Sequence, residues 1–293
     1  MDYIKGFFES KIKEQDKKED IDDVTDVNDV EDAEQEEIKQ IPKAQAKPSQ
    51  KQKPIDSDDP IFKIISLPAV FAMVGSPKSG KTHCMTWLLK NYLKYGAFDF
   101  GIIFTGTKFS GQFSFIDNPN LIIAGYDVNV LRKFLRKLRD YRLANNGMPA
   151  KAFIIFDDMV GQVPWQTELI ENLFTTYRWY GVSIFISTQY IYKVPPTVRT
   201  VTSYAFIWAQ DNKRCYDAIY ESFGMAFDDY YDFKRVLDDA VKMQYRCLFY
   251  NQAEREIEKR FAQYLAPARI PDWRFRFGSK KEDNQENILT KAY

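Results

Sequence analysis

Residues 75–82 read Gly-Ser-Pro-Lys-Ser-Gly-Lys-Thr, a full match to the pattern GxxxxGK[ST], and their flanks restrict what the run can be. The apolar run AVFAMV (69–74) leads in and predicts a buried strand, while THCMTWLLKNYL (82–93) leads out with helical spacing. Strand, glycine-rich turn and helix in that order predict a phosphate-binding loop. Glycine is needed at 75 and 80 so that the backbone turns tightly and points successive N–H groups at phosphate oxygens. The helix starting near Lys81 adds its positive end to the same anion. Gly75, Ser76, Pro77, Lys78, Ser79, Gly80, Lys81, Thr82 and His83 are therefore the candidate nucleotide-binding residues. Lys81 is expected to reach the β- and γ-phosphates of ATP, and the Thr82 hydroxyl to bind Mg²⁺. The competing reading is an ordinary glycine-rich strand-to-helix turn.

The rest of the chain from residue 61 supports the first reading. Short β-branched and aromatic runs predict strands at 69–74, 100–105, 120–125, 152–157, 182–187 and 203–208, with 243–250 as a further candidate. Helical patterns lie near 81–94, 128–143, 165–180 and 212–222. Strands that are apolar on both faces and separated by helices predict an α/β fold with a mostly parallel central sheet flanked by helices. Nothing repeats at a fixed period.

A phosphate loop also needs a carboxylate at the end of a neighbouring strand, and Phe153-Ile-Ile-Phe156-Asp157-Asp158 supplies it. Asp157 is placed as the Walker B aspartate, a second metal ligand beside Thr82. Asp158 has two readings, a base that polarises the attacking water or a cap on the following turn. The strand VSIFIS ends in Ser187-Thr188-Gln189, where Gln189 is suited to orient water and sense the γ-phosphate.

Charge and composition narrow the class further. The 293 residues hold 41 Lys+Arg against 41 Asp+Glu, but residues 1–60 carry 18 acidic and 10 basic side chains and residues 61–293 carry 23 acidic and 31 basic. An arm of net −8 thus precedes a region of net +8. From Glu14 to Pro60 low hydrophobicity and dense like charge predict a disordered arm, and GSKKEDNQENILTKAY (278–293) predicts a second loose tail. Ile4, Phe7, Phe8 and Ile12 have approximate helical spacing, which reads either as a short docking helix or as a frayed terminus. One His and three widely spaced Cys exclude a multi-histidine metal site, a zinc knuckle and a disulfide framework. No apolar run is long enough to span a bilayer and no secretory leader is recognisable, so a soluble, intracellular protein is expected. The Tyr and Phe residues fall mostly in apolar segments and are read as core and subunit interface.

With these residues in place the chain resembles the additional-strand, glutamate-type (ASCE) P-loop ATPases of the FtsK/HerA lineage, and within it the poxvirus-type ATPases that package viral double-stranded DNA. The resemblance rests on GSPKSGKT (75–82), FIIFDD (153–158) and YRWYGVSIFISTQYIYKVPPTVRT (177–200), and it covers roughly residues 61–250. It implies a RecA-like ATPase core over 61–250, an extension of that core over 251–277, and ATP hydrolysis coupled to DNA translocation. It also implies a homo-oligomeric ring, a hexamer, with a capsid vertex or other virion partner, no membrane, and residence at the viral assembly site in the host cytoplasm or in the virion. Arg178 fills the place of an arginine finger reaching into the neighbouring subunit, with Arg199 as runner-up; the bland reading of either is a local ion pair. Two departures stand out: Asp158 replaces the usual glutamate, and Trp179 replaces a histidine of the viral pattern.

For DNA contact the most basic segment is 131–142, with Arg132, Lys133, Arg136, Lys137, Arg139 and Arg142 largely off the apolar face of Leu131, Phe134, Leu135 and Leu138. That face suits DNA, the acidic arm or a neighbouring subunit equally. Lys108, Lys193, Lys213 and Arg214 are comparable candidates. The rival functions are a nucleotide-dependent switch or assembly factor, a cellular DNA pump of the same lineage, and a small-molecule kinase; Asp158 and Gln189 disfavour the last because they suit water activation.

Overall fold

The computed structural model describes residues 57–107 and 111–276. The expected N-terminal helix, the acidic arm as far as residue 56, Lys108 and the tail at 278–293 lie outside the described residues.

Among the described residues eight strands form one sheet: β1 (Val70–Val74), β2 (Phe100–Thr105), β3 (Ile122–Ala124), β4 (Ala152–Asp157), β5 (Val182–Thr188), β6 (Tyr204–Ile207), β7 (Cys247–Asn251) and β8 (Phe261–Tyr264). The α-helices are α1 (Ile61–Ile64), α2 (Lys81–Lys94), α3 (Val128–Ala144), α4 (Glu168–Tyr180), α5 (Pro196–Thr200), α6 (Lys213–Ile219) and α7 (Tyr230–Ala240). The strand order is β3-β2-β4-β5-β1-β6-β7-β8; β1 to β6 pair in parallel, and β7 and β8 are antiparallel additions. The α/β fold with a mostly parallel sheet is therefore present.

The two-sided apolar pattern of the strands is used on both faces. Val70, Ala72, Val74, Ile154 and Phe156 join a core with α3, α4, α6 and α7, while Phe71, Met73, Phe153 and Ile155 join a second core with α1 and α2. Alternate side chains of one strand thus bury against opposite helical layers, as expected of a parallel sheet covered on both sides.

Several boundaries differ from expectation. Residues 165–167 precede α4 because Trp165 serves the core, packing against Phe156 and Phe174 while its Nε1 donates to the Val160 carbonyl. The helix expected over 212–222 is α at 213–219 and continues as a π-turn at Tyr220–Gly224. Of 243–250 only the part from Cys247 is strand. Helix α7 was not expected, although Phe233, Val236, Leu237 and Ala240 recur at helical spacing and are buried.

The packed region also begins before residue 61. Asp59, assigned to the arm by composition, accepts from the Ile61 N–H at the start of α1 (3.0 Å), from Trp87 Nε1 (2.9 Å) and from the Tyr264 hydroxyl (2.8 Å). Its three bonds tie the chain's entry to α2 and β8. After β8 an extended strap crosses α2. His83 Nε2 donates to the Pro267 carbonyl (2.7 Å), Lys90 Nζ donates to the Pro271 carbonyl (2.9 Å), and Lys94 lies over the Trp273 ring. Among the described residues no helix is long and apolar enough to cross a membrane.

Candidate nucleotide site

Strand β1 ends at Val74, and the loop 75–80 feeds directly into α2. Gly75 is held between two strand ends: its N–H donates to the Thr188 carbonyl, and the N–H of Ser76 donates to that of Ala209. A Cβ on Gly75 would stand 2.7 Å from Trp208 Cβ and 2.8 Å from Ser79 Oγ, so glycine is required by close approach. Gly80, at φ 110° and ψ 0°, starts α2 from a backbone conformation that disfavours side chains. The tight turn predicted at both glycines is present.

Among the described residues the N-terminus of α2 has no side-chain cap, and its first turn holds no acidic residue, so its leading N–H groups are left for an anion. The Lys81 ammonium folds back onto the loop, donating to the carbonyls of Gly75 (2.6 Å) and Ser76 (2.7 Å). Burial pushes its pKa below the ordinary lysine value, opposed by Asp158 and then Asp157. Among the described residues the buried Ser79 hydroxyl has no hydrogen-bond partner. An uncapped helix start, a cradle that a Cβ would fill, a buried ammonium and an orphan hydroxyl together fit a polyphosphate. Thr82 and His83 are exposed on the first turn of α2, with the His83 ring tied to the strap.

The acidic side of the site comes from two strands beyond β1. Asp157 ends β4, but β4 is not adjacent to β1, because β5 lies between them. This inserted strand is the arrangement that the additional-strand resemblance implies, and it sets the expected VSIFIS strand directly beside the phosphate loop. In the sheet register Thr105, Asp157 and Ser187 stand in one row, at the carboxyl ends of β2, β4 and β5. Thr105 Oγ1 and Gln112 Nε2 each donate to Asp157 Oδ2 at 3.1 Å, with Ser187 a third donor. Burial pushes the carboxyl above its usual range, while these three bonds hold it down. A buried carboxylate fixed by donors from β2, β5 and the Gln112 loop is held at the strand ends in a position suited to a cation.

Asp158 leaves β4 in the left-handed region (φ 52°), its N–H donating to the Ser187 carbonyl. The Gln189 amide donates to Asp158 Oδ2 at 3.0 Å. The structure therefore brings together Lys81, Asp157, Asp158 and Gln189 at the carboxyl ends of β1, β4 and β5.

The two arginines lie elsewhere. Arg178 is exposed in the last turn of α4, at the amino-terminal edge of the sheet. The length of β5, roughly 20 Å for its seven residues, separates it from its own chain's phosphate loop. Its guanidinium lies over the Tyr177 ring. Arg199 is buried, with NH1 donating to the Ala218 carbonyl (2.9 Å) and to Ser222 Oγ (2.7 Å) and lying 4.0 Å from Glu221. The runner-up finger thus has internal partners, a carbonyl and a hydroxyl at hydrogen-bond distance and a carboxylate further off.

Sequence reasoning missed Thr105, Gln112, Trp208 and Tyr245. Thr105 had a signal, a polar residue closing the apolar run FGIIFT as Asp157 closes its own. Gln112 had none, since it arrives from a loop. Of the basic candidates, Arg132, Lys133, Arg136 and Arg139 are exposed on α3, while Lys137 and Arg142 are half-buried. Lys193 and Arg214 lie over the rings of Tyr190 and Tyr192, just beyond Gln189. Lys213, the first residue of α6, is exposed beside them.

No family model matches the chain. It is 22% identical over 185 residues to "Uncharacterized protein 075L" of Invertebrate iridescent virus 6, covering 63% of this chain and 70% of that one. Among solved structures it is similar to the genome packaging NTPase B204 from Sulfolobus turreted icosahedral virus 2 in complex with AMPPCP, at 15% identity and a TM-score of 0.48, over 67% of this chain and 96% of that one. It is also similar to EssC (ATPases 2 and 3) from Geobacillus thermodenitrificans, at 11% identity and a TM-score of 0.45, over 63% of this chain and 38% of that one. A third likeness is to the cytoplasmic domain of the Thermomonospora curvata type VII secretion ATPase EccC, at 11% identity and a TM-score of 0.42, over 64% of this chain and 23% of that one.

Proposed function

We propose that the chain is an ATPase that drives double-stranded DNA into a viral capsid. The observation that carries the ATPase half is the meeting of the Gly75–Thr82 loop with the bonded pair Asp158–Gln189 and the buried Asp157. The amides at the start of α2 and the Lys81 ammonium bind the phosphates of ATP, Lys81 exchanging its loop carbonyls for phosphate oxygens. Thr82 and Asp157 would hold Mg²⁺, which when bound neutralises charge on the phosphates. Asp158 accepts the proton of the attacking water, and Gln189 fixes the orientation of that carboxylate.

Arg178 acts on a neighbouring copy. It is exposed and remote from its own loop, which suits a ring in which it meets the next subunit's γ-phosphate. The DNA half rests on the motif resemblance, the net +8 of residues 61–293 and the cationic edge following β5. There Gln189 lies four residues before Lys193, and its carbonyl accepts from Cys215 Sγ on α6, beside Arg214, so a change at the γ-phosphate is close to two cationic side chains suited to DNA phosphates. The proposed setting is the viral assembly site or the virion, with a capsid vertex as partner and the hexamer as the ring.

The test is ATP turnover by the full chain with and without double-stranded DNA. Turnover that rises with DNA and disappears in Lys81→Ala supports the proposal. Slow turnover indifferent to DNA would favour a nucleotide-dependent switch.

A further inference from the structure

Asp157, Asp158 and Gln189 all lie on the β5 and β4 side of the phosphate loop. A nucleotide whose terminal phosphate meets them extends its nucleoside the other way, toward β6 and β7. On that side the loop between α7 and β7 places Tyr245 against the phosphate loop, its Cδ1 3.4 Å from where a Cβ of Gly80 would stand. The residue is 53% exposed, although its neighbour Trp208 is buried.

This tyrosine is held in place from three directions. The buried Trp208 donates through Nε1 to the Tyr245 carbonyl at 2.9 Å. The next residue, Arg246, donates through Nε and Nη2 to the carbonyls of Ala240 (2.6 Å) and Asp239 (2.7 Å), which closes the end of α7. Tyr245 itself sits at φ 66°, a conformation that a bulky side chain rarely adopts and that the surrounding bonds impose. Such bracing fixes the backbone that presents the ring without burying the ring itself.

We propose that Tyr245 is a nucleobase platform, the flat wall on which the purine of the bound nucleotide stacks. The inference rests on the proposal that the Gly75–Thr82 loop binds a nucleoside triphosphate, and it adds the subsite for the base. A π-face accepts every base, so the platform supplies affinity for a nucleoside and little choice between adenine and guanine.

The test compares the binding of ATP and of inorganic triphosphate, each with Mg²⁺, to the full chain by titration calorimetry. Tyr245→Asn removes the ring and keeps a residue that tolerates positive φ, while Tyr245→Phe keeps the ring. Tyr245→Asn is expected to weaken ATP about 10-fold and to leave inorganic triphosphate unchanged, with Tyr245→Phe near wild type. Unchanged ATP affinity in Tyr245→Asn would overturn the platform, as would an equal loss for both ligands, which would make the ring a brace of the loop. Lys81→Ala serves as the separate control. If it weakens neither ligand, the phosphate site itself is wrong, whatever Tyr245 does.

Discussion

The side-chain amide of Gln189, at the end of β5, donates a 3.0 Å hydrogen bond to the carboxylate of Asp158, at the end of β4. Two side chains from adjacent strands thus form one unit beside the phosphate loop. If Asp158 is the base and Gln189 its positioner, the two substitutions differ in size and kind. Asp158→Asn, which suits the positive φ, is expected to lower kcat about 10²–10⁴-fold with nucleotide affinity unchanged. Gln189→Ala is expected to lower kcat less and to weaken its coupling to DNA. Steady-state turnover beside equilibrium ATP binding separates these outcomes.

Asp157 is held above the usual carboxylate pKa by burial, so its ionised form costs stability in the absence of a cation. With a folded-state pKa above the unfolded one, that cost is absent below the unfolded value and grows as pH rises through the folded one. Asp157→Asn is therefore expected to raise the melting temperature of the nucleotide-free protein at neutral pH, and the gain is expected to close on acidification. Thermal melts across pH check the sign, and loss of Mg²⁺-dependent ATP affinity in the same variant checks the role.

Gly80 tests the loop geometry. At φ 110°, with Trp208 and Tyr245 at 3.4 Å from a new Cβ, Gly80→Ala is expected to cost about 1–3 kcal/mol of stability and to impair ATP binding. Chemical denaturation and calorimetry measure the two effects.

The arginines predict opposite phenotypes. Arg199→Ala removes two hydrogen bonds from a buried guanidinium and is expected to destabilise the fold by about 1.5–3 kcal/mol. Arg178→Ala, on an exposed surface, is expected to stay within about 0.5 kcal/mol of wild type yet lose turnover on the order of 10³-fold. Mixing Arg178→Ala with Lys81→Ala subunits should restore part of the activity, and no recovery at any ratio would contradict a finger acting between subunits.

The contrast between these residues shows what the chain made legible. Lys81 could be placed by the glycine-loop pattern, and Asp157, Asp158 and Gln189 because each closes or follows an apolar run, and strand ends in a parallel sheet converge on one edge. The insertion of β5 between β1 and β4 is a matter of pairing order, which alternating strands and helices leave open. Arg199 and Arg178 look alike in sequence because burial decides between them, and burial depends on where α6 and the π-turn pack. Trp208 and Tyr245 were invisible for a similar reason, since each reaches the loop from a strand or turn distant in sequence.

The central claim is ATP-driven movement along double-stranded DNA, and it is tested most directly by displacement of a triplex-forming third strand from a linear duplex by the full chain. The account predicts displacement with ATP and Mg²⁺, none with a non-hydrolysable analogue, and none in Lys81→Ala. Hydrolysis stimulated by DNA while the third strand stays in place would contradict it.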